Sequence, residues 1–404
     1  MEKRIAAIEL GSKKAKLVIG YELNGKPCVV YTLTKPYGEK LLEGGNILNA
    51  QKLIDTVKEL TSVVDPSVKL KINVSDIVLS LPPYGLEVLN TKQTTGTSDS
   101  ETKVTSFDIK NLYSIIRNLI TSNENSLVDI VPHSFVLDGG RSFVRAPIGD
   151  TSSTIQVIAN VHILPSHIVK DYKNIFTRAN VSVKRCIVSP LAALEMINTD
   201  PTMPKSYFLV DVGSNSTTVS LVGVKSLYSS TYFNWGGDNI TQRIIEEFQI
   251  NESDAEKYKI TYGIDKRIMN FNAPVCTTTK EDGTTEKHSV DELNDIIKIE
   301  LDSFAKQINT AIDTLLTNLK PSYRNLPMVL VGGGSKLFGL VDYIKPKVPA
   351  EEIYLFEPKI LGARNATYTN CLGMILVCSK YPTILDEHTP KIGVIQRETN
   401  SLVK

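Results

Sequence analysis

The sequence predicts an α/β protein of two lobes, built on a duplicated unit and carrying an inserted α+β subdomain. Three observations lead there. A strand–turn–strand pattern occurs twice, half a chain apart; strand and helix periodicities alternate through both halves; and a stretch of about 80 residues in the first half breaks that alternation.

The first copy of the pattern is the apolar run Ile5-Ala6-Ala7-Ile8 followed by Glu9-Leu10-Gly11-Ser12, returning through Leu17, Val18 and Ile19. The second is Phe208-Leu209-Val210 followed by Asp211-Val212-Gly213-Ser214, returning through Val219, Leu221 and Val222. Acid aligns with acid, glycine with glycine and serine with serine at one offset of 202 residues. Glycine lets the backbone turn tightly and approach a ligand, and small hydroxyl neighbours leave N–H groups to form an anion-binding concavity. Polyphosphate suits such a turn. A carboxylate just before it repels phosphate, so its useful task is to hold the hydrated Mg²⁺ that neutralises a nucleotide. Either copy alone is also consistent with an ordinary glycine-turned hairpin; the alignment of the pair argues against that.

Composition sets bounds. At 404 residues and 42% hydrophobic content the chain is long enough for two cores. A formal net charge of +1 offers no electrostatic case for nucleic acid. Cys28, Cys186, Cys276, Cys371 and Cys378 are odd in number and lack metal-ligand spacing, so they read as reduced thiols of a cytosolic protein. No signal peptide or long apolar run is present, which leaves peripheral attachment as the route to a membrane.

Along the chain, Cys28 to Leu33 reads as a strand, and Leu53, Val57, Leu60 and Val64 mark one helix face. Ser75 to Leu81 is strand-like and ends at Pro82-Pro83. Then the texture changes. Leu86 to Leu89 looks extended, Thr91 to Lys103 is polar, Ile109, Leu112, Ile116 and Leu119 form a helical stripe, and strands follow at Phe135 to Leu137 and Ile155 to Leu164. Helix, strand, helix resume at Ile168 to Ala179, Val181 to Val188 and Leu191 to Ile197. After the second hairpin, Trp235-Gly236-Gly237-Asp238 opens a helix carrying Ile240, Ile244, Ile245 and Phe248, and another starts at Asn251 to Lys259. Asn270 to His288 is polar and Thr-rich, an exposed hairpin or loop; Leu293 through Leu319 repeats apolar residues every three or four positions, the strongest helix in the chain. Met328 to Val331, Gly332-Gly333-Gly334-Ser335 and Leu337 to Ile344 then read as strand, glycine loop and helix, suited to a flat ligand or to a phosphate at a helix N-terminus, or to a plain strand–helix turn.

Taken in order, these elements resemble the actin-like ATPase superfamily, whose fold is bilobal and of the duplicated, ribonuclease-H-like kind. Within it the sequence is similar to the FtsA family of bacterial cell-division proteins, over nearly all of residues 1 to 382. The part specific to that family is the insertion, through Asp129 to Gly140 and Ala146-Pro147-Ile148-Gly149. Ser189-Pro190-Leu191-Ala192-Ala193, Gly236-Gly237-Asp238-Asn239-Ile240-Thr241, Ala255-Glu256 through Lys259, and Tyr262-Gly263 also match. The resemblance implies subdomain 1A at 1–83 and 165–200, an inserted 1C at 84–164, 2A at 201–232 and 311–382, 2B at 233–310, and a tail at 383–404.

The resemblance also implies site residues for ATP and Mg²⁺. Gly11, Ser12 and Lys13 would face the phosphates from one lobe and Gly213, Ser214 and Asn215 from the other, with Asp211 anchoring Mg²⁺ through water. Gly237 would lie near the nucleotide, Glu256 and Lys259 near ribose and base, and Gly333, Gly334 and Ser335 beside the adenosine. Glu and Lys three apart on a helix otherwise make a solvated surface pair. Two departures from the superfamily bear on hydrolysis: Glu9 stands where Asp is preferred, and Ser189 heads the central helix where Glu or Gln often orients the attacking water. Of the carboxylates that remain for catalysis, Glu9 and Asp211 flank the turns and Glu195 lies about a turn and a half from the helix start. The expectation is nucleotide binding with slow or negligible ATPase activity.

As a partner the resemblance implies the C-terminal tail of the tubulin-like protein FtsZ, docking between about Gly236 and Lys306, where Arg243, Lys257, Lys266 and Arg267 would meet an acidic peptide or simply face water. It implies self-association into filaments, and a place in the cytoplasm at the inner face of the membrane, at the division site. FtsA proteins usually end in an amphipathic helix; here Ile392, Ile395 and Leu402 give only a thin apolar stripe, interrupted by Pro390, so a divergent anchor, a shortened chain or a weakly ordered tail is expected. The alternatives are a scaffold of the PilM type for pilus assembly, sharing the inserted subdomain, and a small-molecule kinase, for which no segment offers a persuasive base beside a substrate pocket.

Overall fold

Ile5–Leu10 is apolar on both faces and lies at the centre of a five-stranded sheet, as a strand buried on two sides must. It pairs antiparallel with Lys14–Leu23 and parallel with Asp76–Leu81. Beyond these lie Lys26–Pro36, antiparallel, on one side and Ser182–Val188, parallel, on the other. Tyr207–Val212 repeats the plan. It pairs antiparallel with Thr217–Gly223 and parallel with Met328–Val331, and Ser226–Phe233 and Ile353–Leu355 complete a second five-stranded sheet of the same order and directions. The duplication seen in the sequence is therefore a duplication of sheets.

The computed structural model describes residues 4–65, 70–99, 101–120, 122–224, 226–264, 273–279, 283–317 and 321–381. The tail stripe of Ile392, Ile395 and Leu402, and Lys266 and Arg267, lie outside the described residues. The chain divides into two units. One holds the residues up to Thr199 with Lys359–Ala363 and the segment from Asn370 on; the other holds Asp200–Pro358 with Arg364–Thr369.

In the first unit α1 (Ala50–Thr61) is capped by Asn49, whose Oδ1 accepts from Lys52 N at 3.1 Å, and buries Leu53, Val57 and Leu60. It stops short of Val64, because Ser62–Asp65 is a strand paired with Leu70–Asn73; two adjacent β-branched residues favour that exit. The inserted stretch is a four-stranded antiparallel sheet, in the order Ser142–Phe143, Asn125–Leu137, Thr154–Pro165, Glu87–Gly96, with α2 (Ser106–Arg117) on one face. Thr105 and Asp108 cap α2 reciprocally, and Ile109, Leu112 and Ile116 pack against Ile155, Val157 and Phe135. The polar residues from Thr91 to Gly96 belong to Glu87–Gly96, which among the described residues pairs only with Thr154–Pro165; an edge strand with one wet face carries polar side chains. Next come α3 (Ser166–Arg178) and α4 (Ser189–Ile197).

The second unit contains α5 (Gly237–Phe248), α6 (Glu252–Tyr262), α7 (Val290–Leu315) and α8 (Leu340–Ile344). In α7 a capping box of Ser289 and Glu292 starts a face of Leu293, Ile297, Leu301, Phe304, Ile308 and Ile312, all fully buried. Trp235 stacks on Phe304 with ring centroids 4.2 Å apart. The Thr-rich stretch before α7 contains a hairpin of Pro274–Thr279 and Thr285–Ser289.

The last helix, α9 (Thr369–Lys380), is not signalled by any sequence pattern. Cys371, Leu372, Met374, Ile375 and Val377 are fully buried, and a helix covered on most sides shows no amphipathic period to detect. From Asn370 on it belongs with the first unit, whereas the sequence boundaries assign 311–382 to the second lobe.

Candidate functional site

Each unit carries one glycine turn at the head of its central strand, and the two turns are closed by the same bond. Gly11 N donates to Lys14 O at 3.0 Å, and Gly213 N donates to Ser216 O at 2.9 Å. A Cβ at Gly213 would come within 2.8 Å of that oxygen, which accounts for glycine there.

Neighbouring backbone fixes which way each turn faces. In the first unit Tyr37 N binds Lys13 O and Leu41 N binds Ser12 O, both at 2.9 Å. Because a trans peptide sets its N–H opposite its C=O, the N–H groups of Lys13 and Lys14 point away from the 37–41 loop. In the second unit the first residues of α5 do the same work. Gly237 N binds Gly213 O at 3.0 Å and Asp238 N binds Ser214 O at 2.8 Å, so the N–H groups of Ser214 and Asn215 point away from α5. Gly236 is required by contact: a Cβ would sit 2.4 Å from Ser214 O. Both turns are partly exposed, so each can meet a solute anion.

The carboxylates behave differently. Glu9 Oε2 lies 2.8 Å from Lys16 Nζ, directly across the ladder, and Oε1 accepts from Asn370 Nδ2 at 3.1 Å. The Cys371 thiol is 3.9 Å from Oε2, and burial, with Glu9 beside it, pushes that thiol far above its ordinary pKa. Sequence reasoning missed both Lys16 and Asn370. The signal for Lys16 is its strand register, seven residues after Glu9 across a tight turn; for Asn370 there is none. Asp211 is half-buried and faces Thr218 across its ladder.

The glycine-rich segment lies directly on the second turn. Gly332 has φ +85°, and a Cβ there would be 2.3 Å from Asp211 Oδ1 and 2.5 Å from Val212 O. At Gly334 a Cβ would meet Val212 Cγ1 at 2.6 Å, and at Gly333 it would meet Thr367 Cγ2 at 3.2 Å. Buried Ser335 donates its hydroxyl to Gly332 O at 2.7 Å and so closes the loop on itself. The chain continues as a 3₁₀ turn at Gly334–Lys336, and α8 has only five residues. The helix expected over Leu337 to Ile344 is confined to Leu340–Ile344: Gly339, with φ +80° and a position where a Cβ would lie 2.0 Å from Ile264 O, breaks the stretch. The glycines allow this segment to pack closely on Asp211 and Val212.

Glu256 and Lys259 are not a solvated pair. Lys259 is buried, and its Nζ reaches Gly237 O at 2.9 Å, Thr241 Oγ1 at 2.7 Å and Glu256 Oε2 at 2.5 Å. It braces the start of α5 against α6, next to the second turn. Glu195 is also internally committed: both its oxygens lie 2.9 Å from Lys380 Nζ, and Oε1 accepts from Tyr381 Oη at 2.9 Å. A buried carboxylate so engaged is equipped to hold the end of α9, and poorly equipped to orient a water. Ser189 stands at the start of α4. Among the described residues no cluster of three or more His, Cys, Asp or Glu is arranged to hold a metal by itself. A cation at Asp211 would therefore depend on a ligand's own oxygens, as the hydrated Mg²⁺ of a nucleotide does.

The chain resembles known proteins in sequence and in fold. The family model described as cell division protein FtsA matches residues 208–373. The cell division protein FtsA of Enterococcus faecalis is 23% identical over 374 residues, covering 91% of this chain and 82% of that protein. The protein of the same name from Bacillus subtilis is 18% identical, covering 91% and 82%. Among solved structures, the PilM-PilN type IV pilus biogenesis complex aligns with a TM-score of 0.59 at 18% identity, covering 92% of this chain and 97% of that one. MreB5 of Spiroplasma citri bound to ADP aligns with a TM-score of 0.54 at 12% identity, covering 93% and 96%. These structural likenesses establish the fold.

Proposed function

We propose that the chain, which has the actin-like α/β fold, belongs with the FtsA cell-division proteins it resembles, and that its two glycine turns serve the binding of ATP with Mg²⁺. One observation carries this reading: the same turn, closed by the same bond and preceded by a carboxylate, heads the central strand of both sheets at a fixed offset. A simple hairpin has no reason to recur with its acid, glycine and serine in register.

In this reading Gly11, Ser12 and Lys13, and Gly213, Ser214 and Asn215, line the phosphates; the N–H groups of Gly11 and Gly213 close the turns, so those of Lys13, Ser214 and Asn215 and the serine hydroxyls are the donors offered, with Lys16 beside Glu9. Asp211 holds Mg²⁺ through water, and the metal supplies charge neutralisation to the phosphates. Gly237, Glu256 and Lys259 border the sugar and base, and Gly333, Gly334 and Ser335 border the adenosine. Hydrolysis is slow, because Ser189 is a weak base and Glu9 is occupied by Lys16 and Asn370. The nucleotide-bound protein associates into filaments, binds the FtsZ C-terminal tail through its second unit, and is held at the cytoplasmic face of the division-site membrane. No helix among the described residues is long and apolar enough to cross a membrane.

Titration calorimetry with Mg-ATP tests the site. Asp211→Ala should weaken Mg-ATP binding while circular dichroism stays that of the parent, and an unchanged affinity removes Asp211 from the site. Electron microscopy on a lipid monolayer with ATP, ADP or neither, beside a binding assay with an acidic FtsZ tail peptide, tests the adaptor role. Peptide that fails to bind with nucleotide bound overturns it.

A further inference from the structure

Helix α9 touches two places that sequence order keeps far apart, both within the first unit. At its head, Asn370 Nδ2 donates to Glu9 Oε1 at 3.1 Å, beside the first glycine turn. At its foot, Arg185 Nη1 donates to Tyr381 O at 2.6 Å and to Val377 O at 3.5 Å, the latter carbonyl also accepting from Tyr381 N at 2.9 Å. The other nitrogen of the same guanidinium, Nη2, lies 2.6 Å from Asp129 Oδ2. Asp129 belongs to Asn125–Leu137, the long strand of the four-stranded subdomain. Arg185 and Asp129 are both buried. Burial opposes the Arg185 charge, but Asp129, together with Cys378, offsets it and holds the guanidinium pKa above its ordinary value.

Between these ends the helix has no slack. A Cβ at Gly373 would fall 1.7 Å from Ala192 O, so α9 and α4 meet backbone to backbone. A Cβ at Gly20 would come 3.0 Å from Ile375 Cδ1, so the helix is seated on the sheet as well. Its foot is fixed a second time, since Lys380 and Tyr381 both bind Glu195. An element packed in this way moves as a body or not at all.

We propose that Asn370 is a positioning residue for the Glu9 carboxylate, and that α9 ties this setting to the Arg185–Asp129 fastening of the four-stranded subdomain. This rests on the reading of the first turn as a nucleotide site. Occupancy at the turn changes what Glu9 asks of Asn370, a shift of the helix head is carried to its foot, and Arg185 relays it to Asp129. Linkage makes the effect reciprocal: a partner that holds the subdomain in one setting alters nucleotide affinity by the same factor. A contiguous, rigid element contacting both sites is the physical requirement for such coupling.

Hydrogen exchange of the full chain, with and without Mg-ATP, tests this alongside calorimetry on the same samples. In the parent, Mg-ATP should change exchange in Asn125–Leu137 and Thr154–Pro165. In the double variant Asp129→Asn with Arg185→Gln, which removes both charges together and so leaves neither buried charge of the pair unpaired, Mg-ATP should still bind, about fivefold changed in affinity, and the remote response should be lost. Asn370→Ala should lose it too, and Asn370→Gln, which retains the donor, should restore part of it. If the double variant does not fold by circular dichroism, the Asn370 pair decides. A remote response that persists in Asn370→Ala, or a parent that binds Mg-ATP without one, overturns the coupling and leaves the nucleotide reading standing. A parent that binds no Mg-ATP overturns both.

Discussion

Gly332→Ala isolates how the glycine segment supports Asp211. Two costs add in this variant. Residue 332 has φ +85°, and an L residue held in that region loses about 1–2 kcal/mol relative to glycine. The new methyl would also lie 2.3 Å from Asp211 Oδ1 and 2.5 Å from Val212 O, well inside contact distance. Val212 O belongs to the central strand and cannot retreat without disturbing its ladder, so the Asp211 carboxylate must rotate away and the loop must lift. Overpacking of this kind costs roughly 1–3 kcal/mol, for a total of about 2–5 kcal/mol. Gly283→Ala supplies the control. Gly283 lies in the same unit with φ +82°, and a Cβ there meets nothing within 4 Å, so it carries only the backbone cost. The difference between the two variants is therefore the packing cost alone, and about 2 kcal/mol of it should lower the melting temperature by roughly 4–8 °C for a body of this size. Calorimetric scanning of both variants measures the difference, and Mg-ATP titration should show weakened binding for Gly332→Ala only. Equal melting temperatures for the two would refute the claim that the segment is pressed onto Asp211.

Lys16→Met should destabilise the first unit by about 3 kcal/mol, since it leaves Glu9 half-buried without its cation; adding Glu9→Gln should recover most of this in urea titrations, and no recovery would show that the pair is not the cause. Acid should act through His162, which is fully buried and whose pKa is driven down to about 3 by burial, with His133 and Arg185 adding to it. The unfolded chain binds a proton near pH 6.5 and the folded one does not, so stability is complete above 6.5 and falls as pH drops toward 3, by up to about 1.4 kcal/mol per unit. His162→Leu should flatten that part of the curve, and parallel slopes for parent and variant between pH 6 and 4 would contradict it. Restoring Asp at Glu9 and Glu at Ser189 should raise ATP turnover measured by phosphate release; rates unchanged in the double variant would mean that these departures do not limit hydrolysis.

The parts of the structure legible in the sequence are those that a local pattern records. Both hairpins are visible because strand alternation, glycine and acid fall within a dozen residues, and α7 is visible because its buried face recurs every three or four positions. Helix α9 is not, since Cys371 through Val377 is apolar all round and carries no period. Asn370 illustrates the same limit at the site. Its contact with Glu9 joins residues at opposite ends of the chain, and nothing local distinguishes it from any other asparagine. Lys259 misleads in the other direction: Glu256 three residues before it is the mark of an exposed pair, and only the approach of Gly237 and Thr241 from α5 makes the ammonium a buried brace.

The two copies of the hairpin, so alike in their turns, part at a single rung. Lys16 stands opposite Glu9, and the residue at the same offset in the second copy, opposite Asp211, is Thr218. The first carboxylate thus has a cation built into its own ladder at 2.8 Å, reached through the extra methylene that distinguishes Glu from Asp. That rung brings no cation to Asp211. A carboxylate beside a polyphosphate repels it unless it is neutralised, and at Glu9 the lysine across the ladder does this. In the proposed reading Mg²⁺ enters at Asp211 with its ligand, so the two copies differ in that the first carboxylate is neutralised within its own ladder while the second serves the metal. The replacement of Asp by Glu at position 9, which looks like a loss when hydrolysis is the measure, is then consistent with a turn specialised for holding.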